Sequence, residues 1–332
     1  MPTLTTRPLS QRPPDATDQD RARGLASWWR RHRPGDISLY LLALPGVAFF
    51  AVFAYVPMAG IIVAFKNFNP VEGILHSPWN GVDNFRFLFT SSELAHVLWN
   101  TIFLNALFIV ATNVCSIALA VLFNEIHRKA VKRVTQSVIL LPYFMSWMVI
   151  SMMLQQILGG IGGQESLLNS MLDSIGIHGV GWYQTAGPWP AILTVVKVWQ
   201  GAGYLSVIYL AAITGISEDV YEAAAIDGAS RFQMAVRVTL PLLIPTVLIM
   251  LILSIGRIFY GDFGMIYAIV GDNGQLFQST DVIDTYVFRS LRQSGDLGMT
   301  AAVGLFQSVV GFFLVITANW IARRHAPDSA LF

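Results

Sequence analysis

The chain has 332 residues and a net charge of +1, and 54% of its residues are hydrophobic whereas only 12% are charged. Soluble domains carry about 25% charged residues, so this chain has too little polar surface to cover a water-soluble globule. The small net charge gives no reason to expect nucleic-acid binding. The single cysteine, Cys115, excludes an intrachain disulfide and a cysteine-based metal cluster, and we interpret it as a small buried hydrophobe.

The first 36 residues form a polar segment rich in arginine and proline, which is typical of a disordered basic tail. The apolar run that follows is longer than the roughly 7–15 residues of a signal-peptide core, so we expect an uncleaved first membrane span. The predicted organisation is a tail over residues 1–36, a transmembrane domain over 37–325 and a short C-terminal tail over 326–332.

Six apolar stretches are long enough to cross a bilayer as helices, for which roughly 20 residues are needed. Prolines inside two of them, Pro57 and Pro142, predict kinks whose freed carbonyl groups neighbouring helices can satisfy. The predicted fold is therefore an all-α integral membrane protein with six transmembrane helices. The six stretches are Ser38–Phe65, Val97–Phe123, Val134–Leu158, Pro188–Thr214, Leu240–Tyr260 and Thr300–Ala322.

Basic residues are distributed unevenly among the predicted loops, and this distribution orients the chain. Arginine and lysine are concentrated in the tail, in the loops after the second and fourth spans and at the C-terminus, whereas the loop over residues 159–187 contains neither. Because positively charged loops face the cytoplasm, we expect both termini and the fourth loop to be cytoplasmic. The long loops on the other side, 67–96 and 261–299, are candidate docking surfaces for an external partner.

The fourth loop carries the stretch YEAAAIDGASRFQMAVRVTLPLLIPT, which predicts a helix, a glycine turn and a second helix. Ser217 is placed to cap the first helix, and Gly228 is placed to end it with a left-handed backbone. Ser230 and Gln233 match a capping box for the second helix, which we expect to stop near Pro241. From physical chemistry alone, this elbow is either a docking surface for a partner or an amphipathic loop lying on the membrane.

The same stretch resembles the EAA motif of ABC importer permeases, in which Glu-Ala-Ala precedes a glycine and a hydrophobic-x-Leu-Pro ending. In that family the loop is the coupling helix, which sits in a groove of the ATPase subunit. The resemblance therefore implies a type I ABC importer permease fold with a cytoplasmic EAA loop over about residues 217–241. The residues that it assigns to ATPase coupling are Tyr221, Glu222, Ala223, Ala224, Asp227, Gly228, Ala229, Leu240 and Pro241.

The resemblance covers nearly the whole chain from about Ser38 onward. It is strongest to carbohydrate-uptake permeases grouped with importers of aldouronate and other polysaccharide fragments. It implies a bacterial inner-membrane subunit that pairs with a second, homologous permease, with two ATP-binding subunits and with an extracytoplasmic sugar-binding protein. The stretches that carry it outside the EAA loop are YLLALPGVAFFAVFAYVPMAGIIVAFKNFNP, LPYFMSWMVISMM and DVIDTYVFRSLRQSGDLGMTAAVGLFQSVVGFFLVITANWIARR.

The chain lacks the G-x-x-x-x-G-K-[ST] signature that holds ATP phosphates. We therefore expect no cofactor on this chain and a non-catalytic role, with ATP and Mg bound by the partner ATPase. The predicted spans also lack the interior carboxylates of a proton relay, which argues against an ion-coupled secondary transporter. That class, a channel and a membrane-embedded enzyme stay open as alternatives on the sequence alone.

Polar and aromatic side chains inside the predicted spans are candidates for a substrate path. Lys197, Gln200 and Tyr204 lie at i, i+3 and i+7 of the fourth span. A lysine at the bilayer centre costs roughly 2.5–3.5 kcal/mol, so it should face a wet cavity or a partner; the alternative is snorkelling toward the outer interface. Arg257 is expected at a comparable depth, and two cations with aromatic rings suit an oligosaccharide, including one with carboxylates. The candidates are Lys197, Trp199, Gln200, Tyr204, Arg257 and Tyr260.

Overall fold

The computed structural model describes residues 34–90, 92–159, 166–176 and 179–325. The predicted C-terminal tail and residues 1–33 of the predicted N-terminal tail lie outside the described residues. The last three residues assigned to the N-terminal tail begin a helix at Pro34 instead. The described residues are helical apart from turns, loops and one isolated β-bridge.

Helices are numbered here in chain order over the described residues. The α-helices are α1 (Pro34–Phe50), α2 (Val56–Met58), α3 (Gly73–His76), α4 (Asp83–Thr90), α5 (Ser92–Asn124), α6 (Lys129–Leu140), α7 (Trp147–Leu154), α8 (Leu167–Ser174), α9 (Trp189–Thr214), α10 (Glu218–Ile226), α11 (Arg231–Met234), α12 (Leu240–Ile255), α13 (Phe263–Val270), α14 (Phe277–Thr280), α15 (Ile283–Ser294) and α16 (Leu297–His325). The π-helical turns are Ala51–Tyr55, Gln155–Gly159 and Ala235–Thr239, and the 3-10 turns are Ala59–Phe65, Leu141–Phe144, Trp182–Gln184 and Gly274–Leu276.

Within the described residues, five continuous helical stretches are long and apolar enough to cross a membrane, and a sixth is made of two helices joined at a sharp bend. Five of the six predicted spans are thus continuous helices, and the count of six is reached when the two arms of the bent pair are taken as one span. The second and sixth are several residues longer than expected. The five continuous stretches are Leu39–Phe65, Glu93–Asn124, Trp189–Thr214, Arg231–Ile255 and Leu297–Arg324.

The third predicted span is bent by 92°, and the bend lies next to Pro142, where a kink was predicted. The first arm, Lys129–Phe144, ends in a 3-10 turn that contains Pro142, which has no N–H to continue the helix. The second arm restarts at Trp147, where the Ser146 hydroxyl accepts a hydrogen bond from the Val149 N–H at 3.4 Å. A helix-ending proline followed by a new N-cap therefore explains the bend.

The fifth span begins at Arg231, and the expected stop near Pro241 is wrong. The π-helical turn Ala235–Thr239 joins α11 to α12 without interruption. Pro241 has no N–H to donate, and in a regular α-helix its ring would clash with the carbonyl four residues earlier. The wider hydrogen-bond ring of the π-helical turn accommodates this proline. The continuous stretch ends at Ile255, so the predicted end at Tyr260 is five residues too late.

The chain divides into two compact units after Ile61. The described part of the first unit is a helical segment whose large apolar side chains are exposed, as expected of residues that face lipid. Within it, the π-helical turn Ala51–Tyr55 directly precedes the turn that holds Pro57. Next to Pro57, where a kink was predicted, the helix therefore contains a widened turn.

In the second unit, α5 and α9 pack along each other and α6 crosses close to α9. A Cβ atom on Gly203 of α9 would lie 2.2 Å from the Ile139 carbonyl oxygen of α6, so only glycine permits this approach.

The long loop 261–299 contributes core as well as surface, because α13 buries Met265 and Ile266 in the main apolar cluster. Apolar residues at helical spacing therefore fold this predicted docking loop inward.

Candidate functional site

The predicted elbow is present, and its first helix, α10, ends as the sequence indicates. Gly228 has a φ of +77°, which side-chain-bearing residues rarely adopt. The Ala229 N–H donates to the Ala224 carbonyl and the Gly228 N–H to the Ala225 carbonyl, each at 3.0 Å. These are the paired bonds of a Schellman C-cap, and they hold the turn that separates the two helices.

The second helix of the elbow, α11, begins with the predicted capping box. The Ser230 hydroxyl accepts from the Gln233 N–H at 3.3 Å, and the Gln233 side chain accepts from the Ser230 N–H at 2.8 Å. Between the two helices, the apolar side chains of Ile226 and Phe232 are 87% and 78% exposed. Glu222 is exposed as well. The elbow therefore presents an apolar tip beside a carboxylate.

Two contacts attach the elbow to the rest of the second unit. The Tyr221 hydroxyl lies 3.1 Å from the hydroxyl of Thr239, a buried residue of the π-helical turn. On the other side, Arg231 Nη1 lies 3.4 Å from Glu125 Oε2 and donates to His127 Nε2 at 3.0 Å. A cavity of about 450 Å³ lies between these contacts. The exposed Arg231–Glu125 pair stabilises little by itself, so the buried hydroxyl contact is the stronger attachment.

A second cavity, of about 430 Å³, lies among α5, α9, the segment after α12 and the start of α13. We call it the central cavity. Three of the predicted path residues, Lys197, Arg257 and Tyr260, lie on its wall. The other lining residues are Asn105, Phe108, Ile109, Thr112, Asn113, Leu205, Ser254, Gly261, Asp262 and Phe263.

Lys197 is paired with a carboxylate that the sequence reasoning missed. Its Nζ donates to Asp262 Oδ2, and both side chains are about three-quarters buried. The same ammonium lies 5.4 Å from the centroid of the Trp147 ring, at the bend of the third span. Lys197 therefore contacts a carboxylate and lines the central cavity, rather than snorkelling toward the outer interface. Asp262 escaped notice because it lies outside the apolar stretches and 65 residues along the chain.

Arg257 and Tyr260 lie in the turn that follows α12 rather than on a helix face. The Tyr260 hydroxyl lies 3.1 Å from Ser308 Oγ of α16, which fixes the position of its ring. Arg257 is exposed, lines the central cavity, and has no carboxylate partner in the part of the chain that the structure describes. The cavity wall thus carries one paired and one unpaired cation.

The other three path candidates lie outside the central cavity. Gln200 Nε2 donates to the Tyr143 carbonyl at 3.3 Å, and the Tyr204 ring stacks on the Tyr143 ring with centroids 4.4 Å apart. The arm of the bent third span therefore covers their helix face. Trp199 is 45% exposed and lines apolar clefts between helices, next to Val195.

The polar groups of α5 complete the wall of the central cavity. Asn113 Oδ1 accepts from the Tyr209 hydroxyl of α9, which is an interhelical hydrogen bond. Asn105 Nδ2 donates to the Thr101 carbonyl within its own helix at 2.8 Å. Thr112 Oγ1 is buried and has no hydrogen-bond partner among the described residues. This wall offers amide and hydroxyl groups of the kind that bind sugar hydroxyls.

Asp284 of α15 lies behind the segment that carries Arg257 and Asp262. Gln307 Nε2 donates to its Oδ1 at 2.7 Å, and burial raises the pKa of the carboxyl, against the opposing effects of this bond and of a backbone bond from Gly261. Asp284 is not among the residues that line the central cavity.

A helical chain with several membrane spans, a charged cavity among them and a folded loop at one end belongs to the class of membrane transport subunits. Residues 112–326 match the family described as "Binding-protein-dependent transport system inner membrane component". The chain belongs to this family, and it has the type I permease fold of ABC importers.

Two relatives from Bacillus subtilis (strain 168) cover most of the chain. It is 34% identical to the polygalacturonan/rhamnogalacturonan transport system permease protein YteP, over 87% of this chain and 89% of the relative. It is 32% identical to protein LplB, over 89% of this chain and 92% of the relative.

Solved structures also match. One is the crystal structure of a bacterial ABC transporter involved in the import of the acidic polysaccharide alginate, with a TM-score of 0.80, 31% identity, and coverage of 90% of this chain and 99% of that chain. Another shows a bacterial alginate ABC transporter in complex with an alginate pentasaccharide-bound periplasmic protein, with a TM-score of 0.78 and 31% identity, over 87% of this chain and 95% of that chain.

Proposed function

We propose that this chain is the permease subunit of an ATP-driven importer of oligosaccharides or polysaccharide fragments, and that the elbow couples it to an ATPase. Its relatives include a polygalacturonan/rhamnogalacturonan transport system permease protein, and its structural neighbours are alginate importers. Family membership favours this function over the ion-coupled alternative.

The observation that carries the coupling role is the geometry of the elbow. Its Glu-Ala-Ala helix is exposed along Glu222 and Ala223, and its end is fixed by the Gly228 turn. An apolar tip on a rigid turn is suited to insertion in a groove of another subunit, because little side-chain or backbone freedom is lost on docking. The Tyr221–Thr239 contact then passes movement of the docked helix to the fifth span.

The remaining parts of the importer follow from this assignment. The elbow and both termini face the cytoplasm, where two ATP-binding subunits supply ATP and Mg. A second, homologous permease supplies the other half of the path, and an extracytoplasmic sugar-binding protein delivers the substrate. Lys197, Arg257 and Tyr260 of the central cavity contact the sugar, and the chain itself performs no catalysis.

The test is ATP-dependent uptake in vesicles that hold this chain with its co-encoded permease, ATPase and binding protein. The variant Glu222→Ala with Gly228→Asp removes the carboxylate and forces a side chain onto the positive-φ turn. We expect it to lose both ATPase retention in a pull-down and sugar uptake.

A matched control is Glu72→Ala with Gly73→Asp, because Glu72 is also exposed and Gly73 has a φ of +72° with open space around it. It makes the same chemical changes at a loop predicted to lie on the side away from the ATPase, and we expect ATPase retention to survive. Unchanged ATPase binding and uptake in the Glu222 and Gly228 variant would show that the elbow is only a surface loop.

A further inference from the structure

The central cavity has an excess of positive charge. Its lining contains two cations, Lys197 and Arg257, but one carboxylate, Asp262. That carboxylate is bound to Lys197, and the nearby Asp284 lies outside the lining, where it accepts a hydrogen bond from Gln307. A guanidinium without a carboxylate partner on this wall is free to bind an anion that enters the cavity.

The Asp262 side chain can leave Lys197 without disturbing the helix that Asp262 begins. It occupies the N-cap position of α13, yet its side chain makes no capping hydrogen bond. Lys197 is the hydrogen-bonding partner of its carboxylate, so exchange of that carboxylate for another would break no helix bond. The backbone carbonyl, which accepts from the Ile266 N–H, holds the helix start independently.

The groups around the cations match the other parts of a sugar. Tyr260 and Phe263 supply aromatic surfaces on which the apolar faces of sugar rings can stack. Thr112 supplies a buried hydroxyl with no protein partner among the described residues, and Asn105 supplies an amide. A neutral oligosaccharide would use these groups but would leave Arg257 without an anion.

We propose that the central cavity is selective for acidic sugars: Arg257 binds the carboxylate of a uronate unit, and Asp262 is a resident carboxylate that occupies Lys197 until a second substrate carboxylate replaces it. The proposal rests on the proposed function and specifies its substrate class. Arg257 acts as a specificity-determining residue, since a planar guanidinium can hold a carboxylate through two parallel hydrogen bonds.

The experiment compares two oligosaccharides of the same length and linkage, one built from uronate units and the other its carboxyl-reduced neutral form. Uptake is measured in vesicles that contain the full importer over a range of concentrations of each sugar, up to one that saturates the binding protein. The variants are Arg257→Gln, Arg257→Lys and Asp262→Asn. The neutral sugar reports whether each variant complex still folds and couples.

We expect wild type to take up the acidic sugar at least tenfold faster than the neutral one. Arg257→Gln should lower uptake of the acidic sugar by about ten- to a hundredfold, the range for a lost charged hydrogen bond, and should lower uptake of the neutral sugar by a much smaller factor. Arg257→Lys should take up the acidic sugar at a rate between those of wild type and Arg257→Gln, because an ammonium keeps the charge but lacks the bidentate geometry of a guanidinium. Asp262→Asn frees Lys197 and should lower the half-saturating concentration of the acidic sugar alone.

Equal uptake of the two sugars by wild type, or equal effects of Arg257→Gln on both, would overturn the selectivity. An unchanged half-saturating concentration in Asp262→Asn would overturn the role of Asp262 as a resident carboxylate. Failure of wild type to take up either sugar with ATP, while the complex is intact, would instead contradict the proposed function.

Discussion

The Tyr221 hydroxyl lies 3.1 Å from the hydroxyl of Thr239, and this contact joins α10 of the elbow to the π-helical turn of the fifth span. Thr239 is 3% exposed, so the bond is shielded from water on one side. It connects two segments 18 residues apart across the Gly228 turn. Without it, the elbow would be attached to the second unit mainly through the chain itself and the exposed Arg231 contacts.

Tyr221→Phe removes this hydroxyl contact and should weaken coupling more than folding. The net loss for one hydrogen bond is about 1 kcal/mol, or roughly a fivefold change in an equilibrium. We expect the ATPase to remain bound while the number of sugars imported per ATP hydrolysed falls. Because Thr239→Val removes the other partner, the double variant should lose little beyond either single one, and additive losses would contradict the contact.

Gly228→Ala should weaken ATPase retention through the backbone alone. A Cβ atom at this position meets nothing within 4 Å, so the cost arises from the φ of +77° and is on the order of 1 kcal/mol. Gly228→Asn should be milder, because asparagine tolerates this conformation better. Gly295→Ala, at a φ of +71° in another loop, is the control: it should lower thermal stability similarly and leave the pull-down unchanged.

Gly203→Ala should destabilise the packing of α9 against α6. The new Cβ would lie 2.2 Å from the Ile139 carbonyl oxygen, a backbone atom that cannot rotate away. Overpacking of this kind costs about 1–3 kcal/mol, so thermal unfolding of the purified complex should occur at a lower temperature. Gly201→Ala in the same helix places its Cβ 3.8 Å from the Thr112 methyl, an ordinary contact, and should be tolerated. Equal effects of the two changes would argue against the close approach.

Asp284→Asn should stabilise the folded protein at neutral pH. Burial raises the pKa of Asp284 above its ordinary value of 3.8, so the folded state binds a proton more readily than the unfolded state. This carboxyl therefore lowers stability when it is ionised, and its unfavourable contribution disappears as pH falls toward 3.8. The asparagine oxygen can still accept from Gln307.

The measurement is the unfolding temperature of wild type and Asp284→Asn at several pH values. The difference should be largest near neutral pH and should shrink as pH falls. Asp173→Asn, at an exposed aspartate of α8, controls for the loss of a surface charge. A difference that grows on acidification would contradict the direction of the shift.

The elbow was predictable because its signals are local. A capping serine, a glycine that takes a positive φ and a capping box each act within a few residues, and the structure has all three. The π-helical turn was not predictable from Pro241 alone, since a proline ends a helix as readily as it widens one.

The charge arrangement of the central cavity was only half predictable. Lys197 and Arg257 stood out because cations are costly within a membrane span. Asp262 did not, because its pairing depends on the fold of α13 back among the spans. Likewise, helical spacing placed Gln200 on the face of Lys197, but the 92° bend of the third span covers that part of the face.

The uninterrupted helix from Arg231 to Ile255 has a mechanical consequence. Its 25 residues form a lever about 37 Å long at 1.5 Å per residue, with the elbow at one end and Arg257 just beyond the other. A tilt of about 5° at the elbow would displace the far end by roughly 3 Å, comparable with the length of an ion pair. Under the proposed coupling, a small rotation at the elbow is therefore large enough to separate Lys197 from Asp262, which would link the position of the elbow to the charge of the central cavity.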